Sequence, residues 1–316
     1  MSKQIQLTLN PVCYMLNSLA MGDVIAAVPV VKHMIETYHP DPSTYMVVAK
    51  EMFRPFFHFV PDSNFHNFEN QENNWGIPTT FAISCLNQKK VATITRPTPK
   101  FMHLGQFAAL KLANRYLPEE ILRYVPLKDV DVSHFGVDFS KAIILITSYR
   151  DLTRAWPADS MLSVARFIVK KGYIPVFIGK TDMNLNTNIA PKTVMPDNIG
   201  IGVDLRNKTS VSELATILKL SKAVCGLDSG PIHLAGCSET TIICGYTSIS
   251  PEHRIPYREK GETYAIVPNI PCIGCESRWH SHFWNFENCY LEHIDCCKAM
   301  TASKFIKILE KVLLTS

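Results

Sequence analysis

Short apolar runs alternate with helix-like patterns along the second half of the chain. The runs are apolar almost throughout, as strands buried on both faces of a parallel sheet usually are. They lie at residues 143–147, 173–178, 199–204, 224–227 and 241–244. Residues 210–213 read Ser-Val-Ser-Glu, a capping-box sequence that predicts the start of a helix. Strands that alternate with helices predict right-handed crossovers, so this half is predicted to be a Rossmann-like α/β domain with a parallel sheet.

The first half of the chain shows the same alternation more weakly. Residues 12–16, 44–49 and 81–85 are predicted as strands, and residues 24–38 as a helix. Residues 125–141 are interpreted as a linker between the two halves.

The pattern divides the chain into three parts. We predict an N-terminal Rossmann-like domain at residues 1–138 and a second one at residues 139–300, followed by a C-terminal helix at residues 301–316. The last segment carries Phe305 and Leu309 on one apolar stripe, which predicts that the helix packs against a core.

Composition and charge exclude several classes of protein. With 316 residues, 47% hydrophobic and 19% charged, the chain is globular rather than disordered. Its formal net charge of +4 suits a phosphorylated substrate but does not demand nucleic acid. The most apolar stretch, residues 12–31, is interrupted by Asn17 and Asp23, whereas a membrane span needs about 20 nearly uninterrupted apolar residues. We therefore predict a cytoplasmic protein whose membrane contact is at most peripheral, with ten cysteines that are thiols or metal ligands.

Three polar clusters follow the predicted strands of the second half, at the edge where open parallel sheets bind ligands. They are Thr147 with Ser148, Arg154, and the run Asp228-Ser229-Gly230-Pro231. Gly230 lets the backbone approach a ligand, Ser229 offers a hydroxyl, and Arg154 can neutralise a diphosphate. The helix that starts at Pro231 directs free N–H groups to the same edge. Together the clusters predict an anion-binding site.

Each of these residues also has a simpler interpretation. Asp228 or Ser229 can serve only to cap a helix, and His233, in the first helical turn, can be satisfied by local contacts. In the first half, Gly22 and Asp23 follow a predicted strand and open a helix. Asp23 is then either an N-cap or a general base that faces the second domain across a cleft.

Four segments of the chain resemble glycosyltransferase family nine, the group that contains the lipopolysaccharide heptosyltransferases. In order, they are residues 22–34, residues 146–148 with 154–179, residues 204–236, and the cysteine segment from residue 272. The most specific match is Asp-Ser-Gly-Pro-x-His-Leu-Ala, which begins at Asp228 and has Lys-Thr-Ser-x-x-Glu-Leu upstream.

The resemblance implies a GT-B fold, in which two Rossmann-like domains face each other across a cleft, and it allows a C-terminal helix that packs back on the first domain. It implies an inverting transfer from an ADP- or UDP-linked sugar held by the second domain, with no cofactor or metal required for catalysis. Asp23 inherits the role of catalytic base, with Gly22 beside it in the cleft. The residues that inherit a place at the donor are Thr147, Ser148, Arg154, Asp228, Ser229, Gly230 and His233.

Two turns depart from the family pattern. Where the family usually shows Leu-Gly-Thr-Pro and Phe-Gly, this chain has Ser-Glu-Thr-Thr at residues 238–241 and Cys-Gly-Tyr at residues 244–246. In the family this region lies beside the donor base and sugar, so the resemblance leaves the sugar open.

Four cysteines are spaced like the ligands of a structural zinc ion. They are Cys272, Cys275, Cys289 and Cys296, within a cysteine-rich segment at residues 272–297. Related transferases often carry a similar stretch, and the alternative is a set of packed free thiols.

Three hypotheses for the function stay open. The first is transfer to a bacterial surface glycolipid, and the second is transfer to a hydroxymethylated base in phage DNA. Basic residues among aromatic ones in the first domain, such as Lys111 and Arg115 near Phe107, permit the second hypothesis but also describe an ordinary solvated face. The third is a catalytically silent nucleotide-binding or zinc-dependent interaction protein, which the Gly22-Asp23 and Asp228–Gly230 elements argue against.

Overall fold

The structure, a computed structural model, describes residues 12–17, 21–67, 91–95, 102–149, 152–180, 195–278, 289 and 294–314. The predicted strand at residues 81–85 lies outside these residues.

The first lobe is built on four parallel strands. They are β1 (Val12–Asn17), β2 (Tyr45–Ala49), β3 (Phe65–Asn67) and β4 (Val91–Thr95), in the sheet order β3-β2-β1-β4. The helices are α1 (Met21–Tyr38), α2 (Leu104–Leu112) and α3 (Glu119–Leu122). Because α1 starts just after β1, a central strand, its first turn lies at the carboxyl edge of the sheet.

The second lobe is a parallel sheet of six strands. They are β5 (Ala142–Ile146), β6 (Ile174–Ile178), β7 (Val203–Asp204), β8 (Ala223–Leu227), β9 (Thr241–Gly245) and β10 (Thr263–Ile266), in the order β10-β9-β8-β5-β6-β7. The helices are α4 (Ala158–Lys170), α5 (Val211–Leu220), α6 (Gly230–Ala235), α7 (Cys275–Arg278), α8 (Asp295–Lys298) and α9 (Ala302–Leu314). The predicted α/β class and the parallel sheet are confirmed.

Most predicted elements appear within one to three residues of their expected bounds, with one clear exception. The run at residues 199–204 forms a strand only at Val203–Asp204. Gly200 and Gly202 have φ angles of 66° and 72°, which lie in the left-handed region and interrupt an extended chain. The capping box at the start of α5 is confirmed, since Ser210 and Glu213 bond each other's backbone N–H groups.

Among the described residues, the C-terminal helix packs on the second lobe, although the resemblance also allows it to pack on the first. Phe305 of α9 stacks on Trp156, just before α4, with ring centroids 4.0 Å apart. Trp156 also donates a hydrogen bond to the Met300 carbonyl at 3.0 Å. The apolar stripe predicted for this helix therefore belongs to the core of the second lobe.

Besides the core of the second lobe, the structure has a hydrophobic core to which both lobes contribute. A single cluster of buried side chains includes Val30 and Phe57 from the first lobe and Val224 and Ile232 from the second. Among the described residues, no helix combines the length and the apolar character that crossing a membrane requires.

Candidate active site

The predicted anion-binding clusters leave the second sheet side by side. Strands β5 and β8 are parallel neighbours, with Leu145 paired to Cys225. Thr147 and Ser148 therefore follow β5 on the same edge at which Asp228 and Ser229 follow β8. These residues therefore lie at the same edge of the second sheet, as the sequence pattern predicts.

Asp228 is the centre of a buried polar cluster. It is only 3% exposed, with one carboxylate oxygen 3.3 Å from Arg154 Nη1 and the other 3.4 Å from His233 Nε2. Burial works to raise the pKa of the Asp228 carboxyl, but the hydrogen bond from His233 and the charges of Arg154 and Arg254 hold that pKa well below its usual range. Asp228 is thus an ionised residue that fixes two other predicted site residues.

His233 joins the cluster to the first lobe. Its Nδ1 lies 2.9 Å from the hydroxyl of Tyr124, a buried residue that follows α3. In a neutral imidazole, the nitrogen that faces the ionised Asp228 carries the proton and the nitrogen that faces Tyr124 accepts. Both ring nitrogens thus have protein partners, which favours a role in orienting Asp228. A direct donor contact by His233 stays a prediction.

Gly22 lies directly against the His233 ring. A Cβ atom at position 22 would be 2.7 Å from His233 Cδ2, closer than real Cβ contacts come. Next to it, Met21 lies against Gly230, where a Cβ atom would be 3.0 Å from that of Met21. The first turn of α1 therefore touches the start of α6, and Asp23 is carried to the junction of the lobes.

This close contact predicts the effect of adding one methyl group. Gly22→Ala should lower the free energy of unfolding by about 1–3 kcal/mol, the usual cost of overpacking. In a helix with free space at this position, the same change would raise the free energy of unfolding by about 1 kcal/mol. The sign of the measured change therefore shows whether the His233 ring blocks the methyl group. Urea unfolding measures the effect. The loss should largely disappear in a His233→Ala background, and an equal loss there would show that the ring is not the obstacle.

Ser229 does not act as the helix cap that its position allows. It is the residue before α6, yet its side chain makes no capping hydrogen bond. Its buried hydroxyl oxygen has no hydrogen-bond partner among the described residues. Buried hydroxyls are nearly always paired in folded proteins, so this one is available to a ligand.

Other predicted contacts are partly engaged within the protein. The Thr147 hydroxyl donates to the Ile178 carbonyl at 2.9 Å, which ties the loop to the end of β6. The backbone N–H groups of Ile232 and His233 bond the Ser229 carbonyl, so the short helix α6 offers fewer free donors than the sequence suggests. Ser229 and Arg154 are the better-placed candidates for binding an anion.

The loop after β9 supports Arg154 through contacts that the local sequence pattern does not predict. The Thr247 hydroxyl donates to the Thr153 carbonyl at 2.6 Å, and the Ser248 hydroxyl lies 3.1 Å from that of Thr153. Arg154 is the last residue of the short turn Leu152–Arg154. The departure from the family pattern after Cys244 therefore leads directly into the loop that holds this arginine in place.

Further along, the same loop makes a second bond between the lobes. His103 Nε2 lies 2.8 Å from the Ile255 carbonyl, and its ring stacks on Tyr257 at 3.6 Å. Its Nδ1 accepts from the Gly105 N–H at 3.1 Å, so Nε2 carries the proton and donates to Ile255. Burial, the largest influence, lowers the pKa of His103 to about 4.

The depressed pKa of His103 predicts acid sensitivity. The unfolded chain binds this proton near pH 6.5 and the folded chain only near pH 4, so the stability is present above pH 6.5 and is lost as the pH falls towards 4. The free energy of unfolding should fall by about 3 kcal/mol between pH 7 and pH 4 on this account alone. Denaturant titrations of wild type and His103→Gln measure it. Equal pH dependence of the two proteins would contradict the assignment.

Comparison with known families shows to which family the chain belongs. The model of glycosyltransferase family 9 (heptosyltransferase) matches residues 107–280, more than half of the chain. The chain belongs to glycosyltransferase family 9. It is a nucleotide-sugar-dependent glycosyltransferase, as the sequence predicts. Comparison with curated protein sequences gives no significant match.

Solved structures of family 9 and related transferases share the fold. The iron-containing dodecameric glycosyltransferase TibC from enterotoxigenic E. coli has a TM-score of 0.72 at 12% identity, over 98% of this chain and 78% of TibC. E. coli ADP-heptose lipopolysaccharide heptosyltransferase II has a TM-score of 0.65 at 14% identity, over 96% of this chain and 99% of its own. A family 9 glycosyltransferase from Veillonella parvula has a TM-score of 0.59 at 15% identity, over 98% of this chain and 99% of its own. The predicted GT-B arrangement is confirmed.

The predicted zinc ligands of this family 9 chain lie in one region. Burial raises the pKa of Cys275 to about 11, and the charges of Cys296, Cys272 and Cys289 act in the same direction, which places the four thiols within electrostatic range. Even so, no three His, Cys, Asp or Glu side chains in the described ranges are arranged to hold a metal ion. The fit to a four-thiolate site is thus incomplete, and zinc stays a prediction.

Proposed function

We propose that this chain is an inverting, metal-independent glycosyltransferase that moves a sugar from an ADP- or UDP-linked donor to a hydroxyl of a bacterial surface glycolipid. The observation that carries the proposal is the contact between the two turns. Gly22 lies against His233, so Asp23 on the first lobe and Asp228 on the second belong to one junction. A carboxylate and an anion-binding edge that face each other suit displacement at a sugar carbon held between them.

In the proposed reaction, Asp23 is the general base. Its carboxylate takes the proton of the acceptor hydroxyl while the acceptor oxygen forms a bond to the anomeric carbon. The bond from that carbon to the diphosphate breaks, and its electron pair stays on the diphosphate oxygen. Because the base and the leaving group lie on opposite lobes, attack comes from the face opposite the diphosphate and the anomeric configuration inverts.

Negative charge grows on the diphosphate in this step, and the second lobe supplies its partners. Ser229 offers a hydroxyl without a hydrogen-bond partner among the described residues, and Arg154, whose side chain is 15% exposed and pairs with Asp228, the residue before Ser229, offers N–H donors. Donors fixed before the reaction stabilise developing charge without having to reorganise. Asp228 is a positioning residue in this scheme, because it holds Arg154 and His233 in place.

The donor is proposed from the family and from its relatives. TibC has been solved in complex with ADP-D-beta-D-heptose, and the E. coli heptosyltransferase WaaC with ADP. An ADP-linked heptose is therefore the first donor to test, and UDP-linked sugars are the second. The proposed place of reaction is the cytoplasm, at the inner face of the membrane if the acceptor is a glycolipid.

A thermal-shift screen of nucleotide-sugars tests the donor class. A ligand that binds only the native state raises the unfolding temperature by mass action, and at a hundred times its Kd it adds about 2.7 kcal/mol. We expect at least one ADP- or UDP-linked sugar to do so, while free heptose and free glucose do not. No shift with any of these donors, together with no turnover, would favour the silent-protein hypothesis.

The acceptor needs a separate assay. Donor hydrolysis or transfer should be stimulated by a lipid A-type glycolipid and not by hydroxymethylated DNA. The basic residues that permit a DNA face are partly engaged locally, since Arg115 bonds the Tyr38 hydroxyl and Lys111 lies over the Phe107 ring. Stimulation by DNA alone would replace the glycolipid in the proposal.

A structural metal in the cysteine segment would be held by Cys272, Cys275, Cys289 and Cys296. Thiolates at these spacings suit zinc, and TibC is described as containing iron. Such an ion would stabilise the segment that packs on the Leu152–Arg154 turn, where Cys297 Sγ donates to the Leu152 carbonyl at 3.2 Å. Metal analysis of the purified protein distinguishes zinc, iron and free thiols.

A further inference from the structure

Arg254 is a buried cation that forms no ion pair among the described residues. It is only 5% exposed and follows the short turn Pro251–His253 in the loop after β9. Among the described residues its guanidinium has one hydrogen-bond partner, the His253 carbonyl at 2.9 Å from Nη1. A guanidinium has five N–H donors and keeps its charge in proteins. A buried guanidinium without an ion pair in the protein is a suitable partner for an anionic ligand.

Arg254 lies in a loop that is tied to the junction where the two turns meet. The backbone N–H of Tyr124 donates to the Tyr257 carbonyl of this loop, and the Tyr124 hydroxyl lies 2.9 Å from His233 Nδ1. Burial lowers the pKa of its guanidinium, and the nearby charges of Asp228 and Asp23 partly offset this effect. No carboxylate among the described residues lies within 4.0 Å of it, whereas Arg154 already has Asp228 at 3.3 Å. The positive charge of Arg154 is thus compensated within the protein. Arg254 forms no such ion pair among the described residues, so its guanidinium can bind an anionic ligand as well.

We propose that Arg254 binds the diphosphate of the nucleotide-sugar and stabilises it as the leaving group. This inference rests on the proposed function, in which the carbon–oxygen bond to the diphosphate breaks and the electron pair stays on the diphosphate oxygen. Arg254 donates hydrogen bonds to the oxygens that gain this charge, and the proton of the acceptor goes to Asp23. Two positive side chains then face the diphosphate: Arg154, which pairs with Asp228, and Arg254, which has no ion pair among the described residues.

The first lobe holds the loop that carries Arg254. His103 donates to the carbonyl of Ile255, the next residue, and stacks on Tyr257. The Tyr124 N–H donates to the Tyr257 carbonyl at 2.9 Å. His103 is therefore a positioning residue, which makes the place of the Arg254 guanidinium depend on the contact between the lobes.

Binding measurements on Arg254 variants test the proposal without knowledge of the sugar or the acceptor. Calorimetric titrations compare ADP and UDP with adenosine and uridine, which lack phosphate. For the diphosphate that wild type binds, Arg254→Gln should weaken binding about ten- to a hundredfold, the usual contribution of a charge-assisted hydrogen bond. Binding of the matching nucleoside should change less than threefold. The diphosphate affinity of Arg254→Lys, which keeps the charge, should lie between those of wild type and Arg254→Gln.

The outcomes distinguish a wrong donor class from a wrong role for Arg254. Wild type that binds neither diphosphate would overturn the proposed donor, and the Arg254 assignment with it. Wild type that binds one of them, with Arg254→Gln and Arg254→Lys binding it equally well, would overturn only the Arg254 assignment. Equal loss of nucleoside and diphosphate binding would do the same, since it would mark a structural role.

His103 is tested through its dependence on Arg254. His103→Ala should weaken diphosphate binding severalfold in wild type but not in the Arg254→Gln background, because the effect passes through that guanidinium. His103→Gln, whose amide can still donate to Ile255, should recover part of the loss. The same loss in both backgrounds would show that His103 does not act through Arg254.

Discussion

Asp23→Asn is expected to lower kcat by about two to four orders of magnitude, the usual contribution of a positioned general base. The amide keeps the size and most hydrogen bonds of the carboxylate but cannot take the proton of the acceptor. The first turn of α1 should keep its contact with His233, because Gly22 is unchanged. Affinity for the donor should therefore stay within a few-fold of wild type, and the loss should appear in turnover.

A second carboxylate on the same helix provides the control. Glu36 of α1 pairs with Lys32 at 2.9 Å, and its side chain is 59% exposed. Glu36→Gln removes the same charge from the same element, and surface pairs of this kind contribute little. Its turnover should match wild type. Near-normal turnover by Asp23→Asn, measured with saturating donor and acceptor, would remove Asp23 from the chemistry.

Asp228→Asn is expected to lower the free energy of unfolding by about 3–5 kcal/mol, because it leaves buried groups without their charged partner. Arg154 would lose a carboxylate at 3.3 Å and His233 one at 3.4 Å. Donor binding should weaken as well, since Arg154 would no longer be held at the sheet edge. Urea unfolding at neutral pH measures the stability, and calorimetric titration measures the binding.

An exposed ion pair gives the matched comparison for Asp228. Asp129 pairs with Lys219 at 2.6 Å, but their side chains are 57% and 50% exposed. Asp129→Asn should cost less than about 1 kcal/mol. If Asp228→Asn were equally mild, the buried cluster would not hold the site together as described.

Local patterns in the sequence predict the sheets and one edge of the site. Alternating strands and helices fix the parallel topology, and the residues after a strand share an edge whatever the details of packing. The Asp228-Ser229-Gly230 run, Arg154 and Asp23 can be found in this way. The patterns miss the strands β3, β4 and β10, which lie at or beside the edges of the sheets. They also predict too long a strand at residues 199–204, because Gly200 takes a left-handed backbone angle that an apolar run does not reveal.

Contacts between distant parts of the chain are not visible in such patterns. Tyr124 bonds His233 across 109 positions, and His103 bonds Ile255 across 152. Arg254 follows no strand directly and belongs to no motif, so only its burial marks it. Likewise, the apolar stripe of the C-terminal helix predicts that it packs on a core but not which one, and Trp156 decides that question.

The structure of the complex with an unreactive donor, such as ADP-2-deoxy-2-fluoroheptose, would show whether the two lobes hold the diphosphate and the sugar as proposed. Should the screen select a UDP-linked sugar, its 2-fluoro analogue takes that place. We expect the diphosphate to lie against Ser229 and Arg154, with the anomeric carbon turned towards the Asp23 carboxylate. A diphosphate bound away from Ser229, or an anomeric carbon that faces away from Asp23, would contradict it.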